Sequence, residues 1–288
     1  MRVGFVGLGN MGGAMAVNVA RAGHEVVLYD VREEAVAAVV ERAPTARAAA
    51  SLAEAAHDAD VVGVMVVDDE QVEAVALGPD GLVDRAPAGA VVAVHSTVHP
   101  ATVQRVAQAA RAAGRGVDVL DAPVSGGVQG ARDATLCIMV GGDRVAFERA
   151  RPVFECAGNF VLHLGDVGAG LAAKLARNLI GYVTLLGTAE GRRLATVAGI
   201  DMAVFDRILE HTGTLSPMMR DFVTTRGGHD VYAENLAPLV AIGDKDMRVT
   251  LRYARELGLA LEVSEATATH IAEAFGVEPV APVEEEEP

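Results

Sequence analysis

A strand-like run leads directly into a glycine-rich turn and then a helix at the beginning of the chain. Val3-Gly4-Phe5-Val6 is followed by Gly7-Leu8-Gly9-Asn10-Met11-Gly12, and residues 14–22 continue with a helical pattern. In such a unit the first glycine permits the tight turn, the second lets the backbone approach a pyrophosphate, and the third lets the helix pack on the strand. The amino terminus of the helix then faces the phosphates. The unit predicts a dinucleotide site, although a glycine turn can also be purely structural.

An acidic residue stands where a dinucleotide site needs one. Asp30 follows Gly7 by 23 residues and comes at the end of the next strand-like run, residues 25–29. A carboxylate there can accept hydrogen bonds from both hydroxyls of the adenine ribose. At about 4 Å from a 2′-phosphate, it would cost on the order of 4 kcal/mol at an effective dielectric near 20. NAD is therefore favoured over NADP, while Arg32 could turn toward a 2′-phosphate or be an ordinary surface cation.

Short apolar runs alternate with helical stretches through the first half of the chain. The strand candidates are residues 3–6, 25–29, 61–66, 90–94, 117–120, 136–140 and 160–163. Helical stretches of ten or more residues separate most of these runs, which is typical of parallel strands joined by crossover helices. The pattern predicts an α/β fold with a Rossmann-type, doubly wound parallel sheet.

The pattern changes from about Gly168 onwards, because no strand-like run recurs. The remainder reads as helices with breaks near Gly199, Gly213, Gly227 and Gly258. We expect a dinucleotide-binding domain over residues 1–164 and an all-helical domain over 165–288, entered by a long helix over about 170–197. Residues 277–288 hold three prolines and four consecutive glutamates, which predicts a frayed acidic tail.

Composition narrows the classes of function. Lys and Arg number 24 against 39 Asp and Glu, for a formal charge of -15, whereas binding nucleic acid needs clustered cations. The longest apolar runs, such as residues 61–67, are far shorter than the roughly 20 residues of a membrane helix. Cys137 and Cys156 have neither metal-type nor redox spacing. We expect a cytoplasmic protein with no metal site, no nucleic-acid partner and no membrane contact.

The chain has two lysines, Lys174 and Lys245, and arginine supplies all its other side-chain cations except histidine. In a chain where arginine has largely replaced lysine, we expect lysines that serve only as surface charges to be lost. Arginine cannot lose its proton near neutral pH, whereas a buried lysine can. The two lysines are therefore candidates for chemistry that needs an amine, and chance survival is the alternative.

A short polar loop follows the strand candidate at residues 117–120. Within Asp121-Ala122-Pro123-Val124-Ser125-Gly126-Gly127, the serine and two glycines come at the carboxyl end of a strand, where α/β sheets bind ligands. Successive backbone N–H groups there can hold a carboxylate. The alternative is a flexible turn, since Ser-Gly-Gly is common in loops.

The helix that follows carries an amine and an amide on one face. Gly170, Lys174, Asn178 and Gly181 fall within roughly an 80° arc at 100° per residue. The two glycines leave room beside the lysine for a ligand. The alternative is a solvated lysine between two glycines, each of which weakens the helix by about 1 kcal/mol relative to alanine.

These motifs together resemble the β-hydroxyacid dehydrogenases, which include 3-hydroxyisobutyrate dehydrogenase and tartronate semialdehyde reductase. The resemblance spans nearly the whole chain and rests on Gly7–Gly12, Ser96-Thr97, Asp121–Gly127, Gly170–Asn178 and Lys245-Asp246.

The resemblance implies a role for each matched residue. Lys174 corresponds to the catalytic lysine, Asn178 to the amide that supports the reacting oxygen, and Ser125 to Gly127 to the clamp for the substrate carboxylate. The implied cofactor contacts are Gly7, Gly9, Asn10, Met11, Gly12, Asp30, Arg32, Val66, Val67, Thr97 and Lys245. Thr97 and Lys245 belong to the nicotinamide side. Val66 and Val67 stand where the family usually has leucine and proline beside the adenosine.

Three departures from the family pattern leave the substrate open. Val94 and His95 replace a frequent Asp-Met, Ala134 replaces a usual glycine, and residues 238–244 lack the usual phenylalanine. His95 and His99 either enter the pocket or have structural or solvated positions.

The resemblance implies hydride transfer between a nicotinamide cofactor and a small 3-hydroxy acid or its semialdehyde, with Lys174 moving the hydroxyl proton. Three alternatives remain. An imine reductase has a similar fold but usually lacks this lysine, and phosphogluconate-type enzymes have a much larger helical domain. A catalytically silent NAD-binding scaffold or sensor would be expected to lose the lysine.

A homodimer or homotetramer is also expected. Apolar side chains surround much of the long helix, beyond one core-facing stripe. They are Ala172, Leu175, Leu179, Val183, Leu185, Leu186 and Leu194.

Overall fold

The structure, a computed structural model, describes residues 1–214 and 236–275. The chain divides into two compact units, Met1–Leu175 and Ala176–Pro288. The predicted break at Gly227 and the predicted tail at 277–288 lie outside the described residues.

The first unit is built on one nine-stranded sheet. Its elements in chain order are β1 (Arg2–Val6), α1 (Asn10–Arg21), β2 (Glu25–Tyr29), α2 (Glu33–Arg42), β3 (Arg47–Ala48), α3 (Leu52–Ala56), β4 (Val61–Val64), α4 (Asp69–Leu77), α5 (Leu82–Arg85), β5 (Val91–Val94), α6 (Pro100–Ala113), β6 (Asp118–Asp121), β7 (Val124–Ser125), α7 (Gly127–Arg132), β8 (Cys137–Gly141), α8 (Arg144–Phe154) and β9 (Phe160–Gly165). The strand order is β3-β2-β1-β4-β5-β6-β8-β7, and β9 pairs with β8.

The sheet is parallel from β3 to β6, as predicted, but β8 runs antiparallel to β6 and β7. Parallel pairs predominate in this mixed sheet, so the predicted Rossmann-type fold is confirmed, with β8 antiparallel to two of its neighbours. The pairs Asp121–Gly141, Val124–Ile138 and Ser125–Cys137 follow a single antiparallel register. Strand β7 thus extends β6 along β8, and the return connection holds only a six-residue helix. A short connection of this kind joins antiparallel strands, whereas a parallel pair needs a longer crossover.

Two separate clusters of buried residues account for the doubly wound architecture. Val91 and Ala93 of β5 belong to one cluster, together with residues of α1 and α8. Val92 and Val94 belong to the other, with residues of α4 and α6. Because successive side chains of a strand point to opposite faces, this alternation means that helices cover both faces of the sheet.

The second unit is helical throughout its described residues. Its elements are most of α9 (Ala169–Val197), which begins in the first unit, then α10 (Met202–His211), α11 (Leu236–Glu256), α12 (Glu262–Thr269) and α13 (Ile271–Ala274). Gly199, Gly213 and Gly258 have positive φ values just after helices end, as the predicted breaks required. Within residues 1–214 and 236–275, every helix is either too short or too polar to span a bilayer.

His95 is a structural residue of the first unit. It is 3% exposed, its ring stacks on Phe5 with centroids 6.1 Å apart, and it meets Phe154 edge-on. Its Nδ1 lies 2.8 Å from the Ala122 carbonyl oxygen. Since a carbonyl can only accept, Nδ1 carries the proton in the neutral ring. Burial lowers the pKa of His95 to about 4.

This shift predicts a pH-dependent stability. Between pH 6.5 and about 4, His95 is protonated in the unfolded chain but stays neutral in the folded chain. The free energy of unfolding therefore falls as pH falls through this window. The contribution approaches about 3 kcal/mol across this window. Urea unfolding of wild type and His95→Gln at pH 7, 5.5 and 4.5 should give a shallower pH dependence for the variant. His57→Gln is the control because His57 is 79% exposed, and equal slopes for wild type and His95→Gln would contradict the prediction.

Candidate active site

The glycine turn between β1 and α1 needs glycine for two different reasons. Gly7 has a φ of +85°, and a Cβ there would lie 2.4 Å from the Met65 carbonyl oxygen. A Cβ at Gly12 would lie 2.0 Å from the Gly7 carbonyl oxygen. Gly9, which precedes the first helical residue Asn10, has open space around it instead. The backbone is therefore closely packed at Gly7 and Gly12 but has open space beside Gly9. This arrangement fits a pyrophosphate at the start of α1.

Asp30 holds this turn in place, a role that the sequence analysis missed. Its Oδ2 accepts a hydrogen bond from Leu8 N at 2.6 Å, and its Oδ1 accepts one from Arg32 N at 2.9 Å. Arg32 Nε also lies 3.3 Å from Oδ1. Burial raises the pKa of Asp30, but these hydrogen bonds outweigh burial and hold the pKa below its ordinary value. Asp30 thus holds a carboxylate directly after β2, next to the glycine turn.

The other predicted cofactor residues of the first unit lie at the same edge of the sheet. Val66 and Val67 follow β4, which ends two residues before its predicted end, and Thr97 follows β5. Strands β1, β4 and β5 are parallel neighbours, so their carboxyl ends lie side by side. Val67 is 63% exposed. The Val66 carbonyl oxygen accepts a hydrogen bond from Ser96 Oγ at 2.7 Å, which ties the two loops together.

The predicted clamp begins as a strand rather than as a free loop. Ser125 of β7 pairs with Cys137 of β8, and Gly127 is the first residue of α7. Gly126 and Gly127 have φ values of +140° and +65°, so both need glycine, and both are exposed. Ala134, where the family usually has glycine, also has a positive φ of 57°, a conformation that L residues seldom adopt.

Lys174 is a buried amine. It lies on α9 in the first unit and is 8% exposed, between Leu171 and Leu175, which are almost fully buried. His99 has a structural position, because its Nδ1 accepts a hydrogen bond from Ala101 N and so caps α6.

The second unit contains a polar cluster around Asp246. Asn178 Nδ2 and the Tyr182 hydroxyl donate to Asp246 Oδ2 at 2.8 and 3.2 Å, and Lys245 Nζ lies 3.0 Å from Asp246 Oδ1. Asn178 and Asp246 are buried. Burial and the Asp246 carboxylate raise the pKa of Tyr182 well above its usual value.

Asp246 thus orients two of the predicted site residues, Asn178 and Lys245. Asp246 was expected only as part of the Lys245-Asp246 motif, and Tyr182 was not among the predicted site residues. Tyr182 follows Asn178 by four residues, which places it one turn further along the same helix face, and this spacing was the available signal.

The arrangement in the first unit fits a dinucleotide, and the comparisons with known proteins agree. Residues 2–165 match the family model of the NAD-binding domain of 6-phosphogluconate dehydrogenase. Residues 168–278 match the model described as NAD-binding of NADP-dependent 3-hydroxyisobutyrate dehydrogenase.

Curated relatives and solved structures cover most of the chain. A 3-hydroxyisobutyrate dehydrogenase of Pseudomonas aeruginosa is 42% identical over 73% of this chain and 69% of its own length. A 2-hydroxy-3-oxopropionate reductase of Escherichia coli is 33% identical over 91% of this chain and 87% of its own length. The crystal structure of a 3-hydroxyisobutyrate dehydrogenase from Salmonella typhimurium has 30% identity and a TM-score of 0.82, over 95% of this chain and 93% of that one.

An imine reductase from Streptomyces aurantiacus has 21% identity and a TM-score of 0.67 over 95% of this chain and 93% of that one, which shows a common fold. The matches to both family models and to dehydrogenases along most of the chain show more than a fold. The chain belongs to the β-hydroxyacid dehydrogenase family and is an NAD(P)-dependent oxidoreductase that acts on CH–OH groups.

Proposed function

We propose that this enzyme oxidises a small 3-hydroxy acid to its semialdehyde, or catalyses the reverse reduction, with Lys174 as the general acid and base. The observation that carries the proposal is the burial of Lys174, one of two lysines in the chain, on the helix where the family has its lysine. Its 8% exposure separates it from solvated surface lysines.

The chain's residues have complementary tasks in this reaction. Ser125, Gly126 and Gly127 bind the substrate carboxylate through backbone N–H groups and the serine hydroxyl. On oxidation, Lys174 Nζ takes the hydroxyl proton as the C–H bond breaks, and on reduction it returns a proton to the carbonyl oxygen. Asn178, held by Asp246, supports that oxygen. The nicotinamide, when bound, accepts or donates the hydride.

Two substitutions of Lys174 distinguish a role in proton transfer from a role of its charge alone. Lys174→Arg keeps a cation that cannot deprotonate, and Lys174→Met removes the amine. Both should lower kcat by about 10²-fold or more, because general acid–base catalysis contributes that much. Steady-state assays with a panel of 3-hydroxy acids, at pH 7 and 9 with NAD and NADP, measure this effect.

NADH titration by fluorescence is the binding control for these variants. Lys174→Met should bind NADH nearly as wild type does, whereas Lys245→Met should lose affinity if Lys245 contacts the nicotinamide side. Near-wild-type turnover of Lys174→Met would refute the lysine assignment. A wild type that binds NADH and oxidises none of the panel would instead indicate a silent scaffold.

We also propose a preference for NAD, which rests on Asp30. Asp30→Asn keeps the side chain's size and removes the charge that opposes a 2′-phosphate. The ratio of NAD to NADP affinity should fall at least about tenfold. A tenfold change corresponds to about 1.4 kcal/mol, which is less than the repulsion of about 4 kcal/mol between the carboxylate and a 2′-phosphate. Because Asp30 also binds Leu8 N, both affinities can drop, so the ratio is the measured quantity. Arg32→Ala is the matched control, and it lowers NADP affinity alone if Arg32 serves the phosphate. An unchanged ratio in Asp30→Asn would contradict the preference.

We further propose that the second unit associates with another copy of the chain, in the cytoplasm. Several of the apolar residues that suggested this are covered within the chain, such as Leu175 and Leu185. Leu194 of that set is exposed, and further large apolar side chains on α9 and α10 are at least half exposed: Ile180, Val197, Val204 and Ile208. Exposed apolar groups of this kind support a partner surface.

Sedimentation equilibrium at micromolar protein tests this association. We expect a mass that is a multiple of 29.8 kDa. Val197→Glu should shift the equilibrium toward monomer, while Val145→Glu on α8, 68% exposed in the first unit, should not. A wild-type mass of 29.8 kDa would refute the oligomer.

A further inference from the structure

Asp121, the last residue of β6, has a completely buried carboxylate that binds the start of a helix. It is 0% exposed. Its Oδ1 accepts a hydrogen bond from Gly168 N and its Oδ2 accepts one from Leu171 N, each at 2.7 Å. These donors belong to the first turn of α9 and the residue just before it.

Two physical effects oppose each other at this carboxylate. Burial raises the pKa of Asp121, while the backbone N–H groups of Gly168 and Leu171 favour the charged form. The amino terminus of a long helix also favours a negative charge. A buried carboxyl is costly unless such partners are in place, so its interaction with α9 depends on a defined position of the helix start.

Close packing restricts this position further. A Cβ at Gly170 would lie 2.2 Å from the Met139 carbonyl oxygen and 3.0 Å from Asp121 Oδ2. A Cβ at Gly141 would lie 2.4 Å from Asp121 Oδ1. The backbone of α9 therefore rests directly on β8, with the carboxylate enclosed between them.

These contacts continue toward the predicted carboxylate clamp, Ser125 to Gly127. Met139 N donates to the Pro123 carbonyl oxygen at 3.0 Å, while the Met139 carbonyl lies against Gly170. Ser125 comes four residues after Asp121 on the strand that continues β6. Lys174 comes three residues after Leu171, about 4.5 Å further along the same side of the helix.

We infer that Asp121 is a positioning residue: it holds the first turn of α9 on the sheet and thereby sets the distance between Lys174 and the Ser125–Gly127 clamp. The inference rests on the proposed role of Lys174. Asp121 acts through the lysine and not through contact with the substrate. Because a misplacement of about 1 Å can cost about 10²-fold in rate, loss of this anchor should appear in the chemical step.

Asp121→Asn is the test, since it keeps the shape but places an NH₂ group against a backbone N–H. We expect kcat to fall about 10- to 100-fold, NADH affinity to stay near that of wild type, and the primary deuterium isotope effect on hydroxy-acid oxidation to rise. A variant that is merely partly unfolded would lose kcat with an unchanged isotope effect, and that result would overturn the inference. Gln104→Leu is the control, because it removes the bond to the Val167 carbonyl oxygen and leaves the α9 N–H groups intact.

A double-mutant cycle with Lys174→Arg separates this inference from the proposed function. If Asp121 acts through Lys174, Asp121→Asn should cause little further loss in the Lys174→Arg background. Multiplicative losses would overturn the inference while leaving the lysine assignment standing. Full activity of Lys174→Arg by itself would refute the lysine assignment instead.

Should Asp121→Asn fail to fold, Gly170→Ala shifts the helix start with Asp121 intact. The same loss of kcat and the same rise in the isotope effect are then expected, and a fully active Gly170→Ala enzyme would overturn the inference.

Discussion

The parallel hydrogen bonding of β2, β1, β4, β5 and β6 determines where chemistry can occur in the first unit. Parallel strands end at a common edge, and the loops that follow them therefore lie side by side. The glycine turn, Asp30, Val66, Thr97 and Asp121 all stand at or just after such strand ends. The predicted cofactor residues are neighbours because of backbone register, and the hydrogen bonds from Leu8 N to Asp30 and from Ser96 Oγ to the Val66 carbonyl oxygen tie them together further.

Two buried carboxylates organise the residues around which the reaction is proposed, and they do so in different ways. Asp121 binds backbone N–H groups and so positions a helix. Asp246 binds side chains and so orients an amide and a lysine. Buried carboxylates are stable only with such partners. The position of each carboxylate therefore depends on its hydrogen-bond donors, and each carboxylate in turn holds its donors in place. Neither carboxylate needs to meet the substrate to influence the reaction.

Much of the first unit could be predicted from its pattern of apolar runs. The strand β2 has its predicted bounds, and β1, β5 and β9 differ from theirs by one or two residues. The antiparallel course of β8 could not be predicted in the same way, because an apolar run predicts a strand and says nothing of its direction. The two short strands β3 and β7 were missed, since two residues make no pattern.

Local features could be read from the sequence alone: the glycine turn, the alternation of strand and helix, the helix breaks at glycine, and the position of a lysine on a long helix. These follow from the conformations that each residue allows and from periodicity over a few turns. The burial of Lys174 and the partners of the two buried carboxylates depend on the tertiary structure instead. Asp121 and Leu171 are 50 residues apart, and Asn178 and Asp246 are 68 apart. No local pattern encodes such contacts, because they arise when separate elements pack together and each buried polar group must find a partner.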